Sequence, residues 1–266
     1  MRIERTEAST GGSKRTAREE IVPHYSETDE VEPDIAFDCS GSESWEVAEG
    51  SSTSRWSVQM EAIRQLVAAA EALDSQAAAE QAGGDEDKGG LYAAGFNHEL
   101  VKVGAGQKYD QRFVPERGQD DNGDLNSVNF DTKIKTLITR HGEALPSGGT
   151  VIMPTVSYLD AHYMGEFGER DLADRPKRAR VVFTDGELKD ARQFGQRLVE
   201  NHVSEWPEED WFIAILGHGD EHDATLRQYQ QIAEKHPNVH VYSFEEVTNP
   251  AEIAEDMAIA VLPQSV

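Results

Sequence analysis

Oxygen-bearing side chains cluster in one short stretch of this chain, where an apolar run ends in Asp38, Ser40 and Ser42. The stretch reads Asp34-Ile-Ala-Phe-Asp-Cys-Ser-Gly-Ser42. Carboxylate and hydroxyl oxygens are the ligands that hard divalent cations such as Mg²⁺ take. The glycine between the two serines lets the backbone turn tightly and approach a ligand closely. The stretch therefore predicts a cation-binding corner directly after a strand.

Two later segments carry side chains of the same kind. Thr150 closes the turn Gly148-Gly-Thr150, and Asp185 follows the apolar run Arg180-Val-Val-Phe-Thr184 and precedes a glycine. An apolar, β-branched run of this length is typical of a strand buried on both faces of a parallel sheet. Asp38 and Asp185 are therefore predicted to lie at the same edge of one sheet. Two aspartates and three hydroxyls then converge from three separate loops.

The elements that hold these loops are indicated by hydrophobic periodicity. Apolar residues recur every three or four positions from Val58 to Leu73, which predicts an amphipathic helix. The alternation of strands with helices predicts an α/β fold, doubly wound, with a mostly parallel central sheet, helices on both faces and ligands beyond the carboxyl ends of the strands. Strands are predicted over 34–38, 91–96, 180–184, 211–216 and 239–243, helices over 58–73, 130–139, 156–163, 193–203, 226–235 and 250–261, and a loop over 104–129.

Length and composition set the domain organisation. The chain has 266 residues, of which 38% are hydrophobic, enough for one domain with a core. Residues 1–33 are polar and show no periodicity, which predicts a flexible acidic and polar tail before a single domain over residues 34–266. The single cysteine, Cys39, excludes an intramolecular disulfide and suits a reducing compartment. No apolar run has the length of a signal peptide or a membrane span, so a cytoplasmic protein is expected.

Charge excludes two classes of partner. Lys and Arg total 25 against 50 Asp and Glu, which gives a formal net charge of −25. Nucleic acids and anionic membranes carry the same sign and are repelled, so neither is expected as a partner. Adaptation to high salt is an alternative origin for this charge, and the sequence does not decide it.

The three oxygen-bearing segments together resemble the metal-ion-dependent adhesion site of von Willebrand factor type A domains. The family's pattern is D-x-S-x-S, then a threonine in G-G-T, then T-D-G after an apolar strand, and all three occur here in that order. The resemblance covers roughly residues 34 to 262 and implies the Rossmann-like fold of that family. It implies Mg²⁺, with Mn²⁺ and Ca²⁺ as alternatives, on Asp38, Ser40, Ser42, Thr150 and Asp185.

The resemblance also implies a function. The ligand set leaves a coordination position for an Asp or Glu carboxylate of a protein partner, so the chain is expected to be an interaction module and not an enzyme. Gly148-Gly-Thr-Val-Ile-Met-Pro154 resembles the intracellular bacterial branch, which includes tellurite-resistance and stress-response type proteins. Members of that branch act as scaffolds or adaptors, some beside AAA+ ATPases or other subunits of a complex. The residues expected at the partner-binding rim are Glu43, where many members have methionine, Trp45, Glu187 and His218.

Two alternative functions are left open by the residues themselves. A metal-assisted phosphohydrolase on a similar fold would use Asp38 as phosphoryl acceptor or metal ligand and His218 as general base. Enzymes of the haloacid dehalogenase type carry a second acid two residues after the first, and Ser40 stands there instead. The other alternative is a structural subunit of a larger assembly, in which the metal only stabilises the fold.

Overall fold

The strands and helices of the protein are seen in a computed structural model, which describes residues 21–44, 46–80, 91–96, 100–102, 124–127, 129–134, 150–186, 188–199, 209–245 and 247–263. The strands are β1 (Val31–Asp38), β2 (Leu91–Phe96), β3 (Leu100–Lys102), β4 (Asp124–Leu125), β5 (Lys177–Thr184), β6 (Glu209–Gly217) and β7 (Val239–Glu245). The helices are α1 (Arg55–Glu80), α2 (Met153–Phe167), α3 (Ala191–Val199), α4 (Gly219–Ala233) and α5 (Pro250–Val261), with short 3₁₀ helices at Gly41–Ser44 and Leu172–Asp174.

The strands form one sheet, in the order β3-β2-β1-β5-β6-β7, with β4 also paired to β2. The five strands β2, β1, β5, β6 and β7 run parallel, whereas β3 and β4 are antiparallel to β2. The chain adds β2 on one side of β1 and all later parallel strands on the other side. The boundary between β1 and β5 is thus a topological switch point, where open α/β sheets bind their ligands. The predicted α/β fold with a mostly parallel sheet is confirmed.

Helices cover both faces of the sheet. Successive β1 residues point to opposite faces, so Ile35 and Phe37 belong to one core and Ala36 to the other. The first core is completed by α1 and α5, and the second by α2, α3 and α4. The parallel strands are buried on both faces, which explains why their sequences are continuous apolar runs and not alternating patterns.

Charged side chains are buried inside the second core, at the amino ends of β1, β5 and β6. Arg180 donates two hydrogen bonds to Asp34, with Nε–Oδ1 and Nη2–Oδ2 distances of 2.6 and 2.7 Å. Arg178 donates to Asp34 and to Asp160 of α2, at 3.0 and 2.9 Å. Glu209 of β6 is paired with an arginine of α3 at 2.7 Å. Buried ions remain ionised only when they are paired in this way, so this network ties three strands to two helices.

The amino-terminal boundary of the domain lies earlier than the sequence indicated. β1 begins at Val31, so the predicted boundary at residue 34 falls inside a strand. Tyr25 is 3% exposed and donates its hydroxyl to Asp210 at 2.8 Å. Glu32 and Pro33 hid the start of β1, because they interrupt its apolar pattern.

Helix α4 also begins earlier than predicted. Periodicity placed its start at Leu226, whereas the helix runs from Gly219. His222 precedes the predicted start but lies within the helix and is 2% exposed, with Nε2 2.8 Å from Ser243 Oγ. Acidic residues in this first turn concealed the helix from the hydrophobic pattern, although acids favour helix amino termini.

The remaining predicted elements agree with the structure where residues are described. Helix α5 has the predicted bounds, and residues 130–134 are helical as expected. The predicted loop over 104–129 and the end of the helix predicted over 193–203 lie mainly outside the described residues, although 124–125 form β4. Among the described helices, none combines the length and the apolar composition needed to cross a bilayer.

Removal of Arg180 is expected to destabilise the protein strongly, because Asp34 would lose both of its shortest hydrogen bonds while remaining buried. Arg180→Ala should lower the free energy of unfolding by about 3 kcal/mol or more, as measured by urea denaturation. Arg170→Ala is the matched control, since Arg170 and its partner Glu30 are 46% and 67% exposed. That variant should lose less than about 1 kcal/mol. Equal losses in the two variants would contradict a stabilising role for the buried network.

Candidate metal centre

The carboxyl ends of β1 and β5 lie side by side at the switch point. The strands pair in parallel with Phe37 opposite Phe183, so Asp38 and Thr184 end neighbouring strands. Thr184 donates its hydroxyl to Asp38 Oδ2 at 3.1 Å and accepts the backbone N–H of Gly186 at 2.9 Å. One threonine therefore fixes the Asp38 side chain and also shapes the turn that carries Asp185.

The loop after β1 presents its two serines together. The Ser40 N–H donates to Asp38 Oδ1 at 2.7 Å, a local bond that aspartate commonly makes two residues ahead. The Ser40 and Ser42 hydroxyl oxygens lie 3.0 Å apart. Gln59 of α1, which is fully buried, donates to the Asp38 carbonyl at 2.9 Å. The predicted ligands Asp38, Ser40 and Ser42 are thus gathered into one corner.

Glu43 lies inside this corner and not at its rim. The sequence analysis expected Glu43 at the partner-binding rim, but the side chain is 0% exposed. The 3₁₀ helix Gly41–Ser44 turns the residue inward, a direction that a loop without regular periodicity does not reveal. Ligand atoms of Asp38, Glu43 and Asp185 all lie within 4.8 Å of one another. Such a group of acids has the spacing to hold a metal ion.

Burial and mutual repulsion act on these acids. Burial raises the pKa of Asp38 to about 7, and the charge of Asp185 adds to the rise, against hydrogen bonds from Ser40 and Thr184. Burial also raises the pKa of Glu43 well above its ordinary value, and the charges of Asp38 and Asp185 raise it further. A divalent cation would favour the ionised forms of these acids, because metal ligands must be deprotonated.

Arg55, the first residue of α1, supplies a positive charge at the same place. Its Nη1 lies 3.1 Å from Asp185 Oδ2, and both side chains are buried. The guanidinium group passes close to Gly217, where a Cβ atom would lie 3.1 Å from Arg55 Cζ. The absence of a side chain at Gly217 therefore gives Arg55 the room to reach Asp185.

Thr150 is tied to the loop that carries Asp185. The Thr150 carbonyl accepts a hydrogen bond from the Lys189 N–H at 2.8 Å, and Thr150 is 5% exposed. Asp190 accepts the N–H groups of Ile152 and Met153 at 3.1 and 2.8 Å, which satisfies the amino terminus of α2. These bonds hold the segment of Thr150 against the β5–α3 connection.

The residues predicted for the rim have different outcomes. Trp45 and Glu187 lie outside the described residues. His218 follows β6 at the same edge of the sheet, is partly exposed and occupies the position before the first residue of α4.

Burial, reinforced by the charges of Asp38 and Glu43, raises the pKa of the Cys39 thiol, so Cys39 remains a neutral packing residue.

Three residues of the corner were not found by sequence reasoning. Arg55 and Gln59 lie on α1 and contact the strand ends only through the tertiary fold. Thr184 could have been predicted from the sequence, because it is the hydroxyl residue in Thr-Asp-Gly at the end of the apolar run. Its bond to Asp38 follows from the pairing of β1 with β5.

These features define an α/β protein with a buried, hydroxyl-lined acidic centre at its switch point. No family model matches the chain, and no curated protein sequence matches it. A mutant of the PilB minor pilin from Streptococcus sanguinis has a TM-score of 0.44 and 14% identity, over 86% of this chain and 60% of that one. Proximal thread matrix protein 1 from the mussel byssus has a TM-score of 0.44 and 13% identity, over 87% and 47%. The chain spans less than two thirds of either structure, and neither likeness assigns it a function.

Stability without a cation is expected to fall as pH rises. Asp38 has a pKa of about 7 in the folded state and about 3.9 when unfolded, so between these values the folded protein binds more protons. In chelator, the melting temperature should therefore decrease from about pH 4 to about pH 7, and Mg²⁺ should stabilise the protein more at the upper end. Asp38→Asn should reduce the dependence of the melting temperature on pH. An unchanged dependence in that variant would contradict the raised pKa of Asp38 as its cause.

Gly186 is expected to tolerate no side chain. Its φ is +101°, and a Cβ atom would lie 1.8 Å from Thr225 Cγ2 of α4. Gly186→Ala should lower the free energy of unfolding by at least about 2 kcal/mol and weaken cation binding, since Asp185 is the preceding residue. Gly165→Ala in α2 has open space around its Cβ and should be neutral or stabilising by up to about 1 kcal/mol. Denaturant unfolding of both variants tests this, and a stable Gly186→Ala protein would contradict it.

Proposed function

We propose that this chain is a module of the von Willebrand type A kind, which binds a divalent cation and, through it, an acidic side chain of a partner protein. The observation that carries the proposal is the buried Asp38, Glu43 and Asp185 group, whose ligand atoms lie within 4.8 Å of one another. The hydroxyls of Ser40 and Ser42 stand in the same corner, 3.0 Å apart.

The acidic centre has unsatisfied oxygen atoms that fit a cation. Among the described residues, three buried oxygen atoms of this centre have no hydrogen-bond partner. They are both carboxylate oxygens of Glu43 and Oδ1 of Asp185. A buried polar atom without a partner is destabilising, and a metal ion with oxygen ligands would satisfy several at once. The mixture of carboxylates and neutral hydroxyls suits a hard cation. Mg²⁺ is our first choice, with Mn²⁺ and Ca²⁺ as alternatives.

Charge supports a metal bridge to an acidic partner. The protein has a formal net charge of −25, so it would repel an acidic protein from most of its surface. A bound divalent cation cancels the negative charge of the acidic centre at one point, and a partner's Asp or Glu carboxylate would bind there. We propose a cytoplasmic scaffold or adaptor of the stress-response type, whose partner is a protein such as an AAA+ ATPase or another subunit of a complex.

Removal of the two serine hydroxyls tests the cation site without a change of charge. The double variant Ser40→Ala, Ser42→Ala should bind Mn²⁺ at least about tenfold more weakly than the wild type, as measured by electron paramagnetic resonance titration. Ser52→Ala is the control, because Ser52 is exposed in the connection that follows. Equal affinities in all three proteins would show that the serines are not ligands.

The partner is sought with the same variants. A protein retained from lysate by the wild type in Mg²⁺, and released by chelator or by excess acetate, is expected to be lost with the double serine variant. Release by acetate identifies a carboxylate as the bridging group. Retention of the same protein in chelator and by the double variant would contradict metal-bridged binding.

A further inference from the structure

The acidic centre contains one carboxylate more than the residues assigned to the cation by the motif. Glu43 follows Ser42 directly and is 0% exposed, and neither of its carboxylate oxygens has a hydrogen-bond partner within the described part of the chain. Exposed glutamates are solvated and need no partner, but a buried glutamate either takes up a proton or needs another group to compensate its charge. The position of Glu43 therefore requires an explanation beyond packing.

Among the residues that the structure describes, the side chains around Glu43 compensate its charge only in part. Asp38 and Asp185 approach it within 4.8 Å and carry the same sign. Arg55 attracts Glu43, but its guanidinium is hydrogen-bonded to Asp185. With three carboxylates ionised and one guanidinium, the charges sum to 1 − 3, which is −2. One divalent cation among these groups brings that sum to zero.

We propose that Glu43 is itself a ligand of the divalent cation, and that its carboxylate holds the coordination position otherwise left for the partner. This inference rests on the proposed cation site and adds a regulatory property to it. A cation held by three carboxylates of the chain has little remaining charge with which to attract a fourth. An acidic partner then binds only by displacing Glu43, so Glu43 increases affinity for the cation and decreases affinity for external carboxylates.

Two substitutions separate the charge of Glu43 from its ligand oxygen. Glu43→Gln preserves size and removes the charge, whereas Glu43→Ala removes the ligand oxygen as well. In chelator at alkaline pH, where the three buried acids of the wild type ionise, Glu43→Gln should melt at a higher temperature than the wild type, because it removes one of the three repelling charges. Glu46→Gln is the matched control, since it removes an acid of the same loop whose side chain is exposed. A lower melting temperature for Glu43→Gln alone would indicate a structural role and would overturn the proposal.

Mn²⁺ reports the ligand directly, because the relaxation of water protons depends on the number of waters bound to the ion. We expect Glu43→Ala to bind Mn²⁺ at least about tenfold more weakly than the wild type, and to bind it with one additional water. Acetate should displace that water in Glu43→Ala at concentrations that leave the wild type unchanged.

The outcomes distinguish this inference from the proposed function. If Glu43→Ala and the wild type bind Mn²⁺ with the same affinity and the same number of waters, Glu43 is not a ligand, although the cation site stands. If acetate binds both proteins equally, Glu43 does not hold the partner's position. If the wild type binds no Mn²⁺, both the cation site and the role of Glu43 are overturned.

Discussion

The parallel pairing of β1 with β5 is the interaction on which both the core and the acidic centre depend. At the amino end of this pair, Asp34 stands opposite Arg180 in the register and accepts two of its hydrogen bonds. A shift of register by one residue would reverse the face of every side chain and would separate these buried ions. The same register brings Asp38 to Thr184 at the carboxyl end, so the paired ions at one end determine which residues meet at the other.

The two ends of this strand pair differ in charge compensation. At the amino end, the arginines of β5 and α3 are matched by Asp34, Asp160 and Glu209. At the carboxyl end, Arg55 is the one cation among the described residues that is paired with the three carboxylates. Local arrangements that are unfavourable in themselves persist where the surrounding structure holds them in place, and they concentrate at functional sites. The stabilising network and the destabilised centre thus lie along the same pair of strands, and Asp34 and Asp38 are separated by ~13 Å, half the length of β1.

Much of the fold was predictable because its signals are local. Continuous apolar runs identified β5 and β6, and a proline with apolar periodicity identified α5 within its observed bounds. Asp38 and Asp185 were placed at one sheet edge because both follow such runs. The inward direction of Glu43 was not predictable, since it depends on one turn of 3₁₀ helix, and neither was the contact of Arg55 with Asp185, which joins residues 130 positions apart. The starts of β1 and α4 were obscured by acidic residues that break the hydrophobic pattern.

Burial also explains why this centre differs from the acidic surface around it. Charges exposed to solvent are screened within a Debye length of ~8 Å at physiological ionic strength, so most of the net charge acts weakly at a distance. The carboxylates of Asp38 and Glu43 are 0% exposed and are screened little. Their repulsion is therefore stronger than that of any exposed pair at the same spacing, and so is their attraction for a cation. In a protein with twice as many acidic as basic residues, burial therefore sets these few acids apart from the exposed ones, because solvent and salt screen the exposed charges.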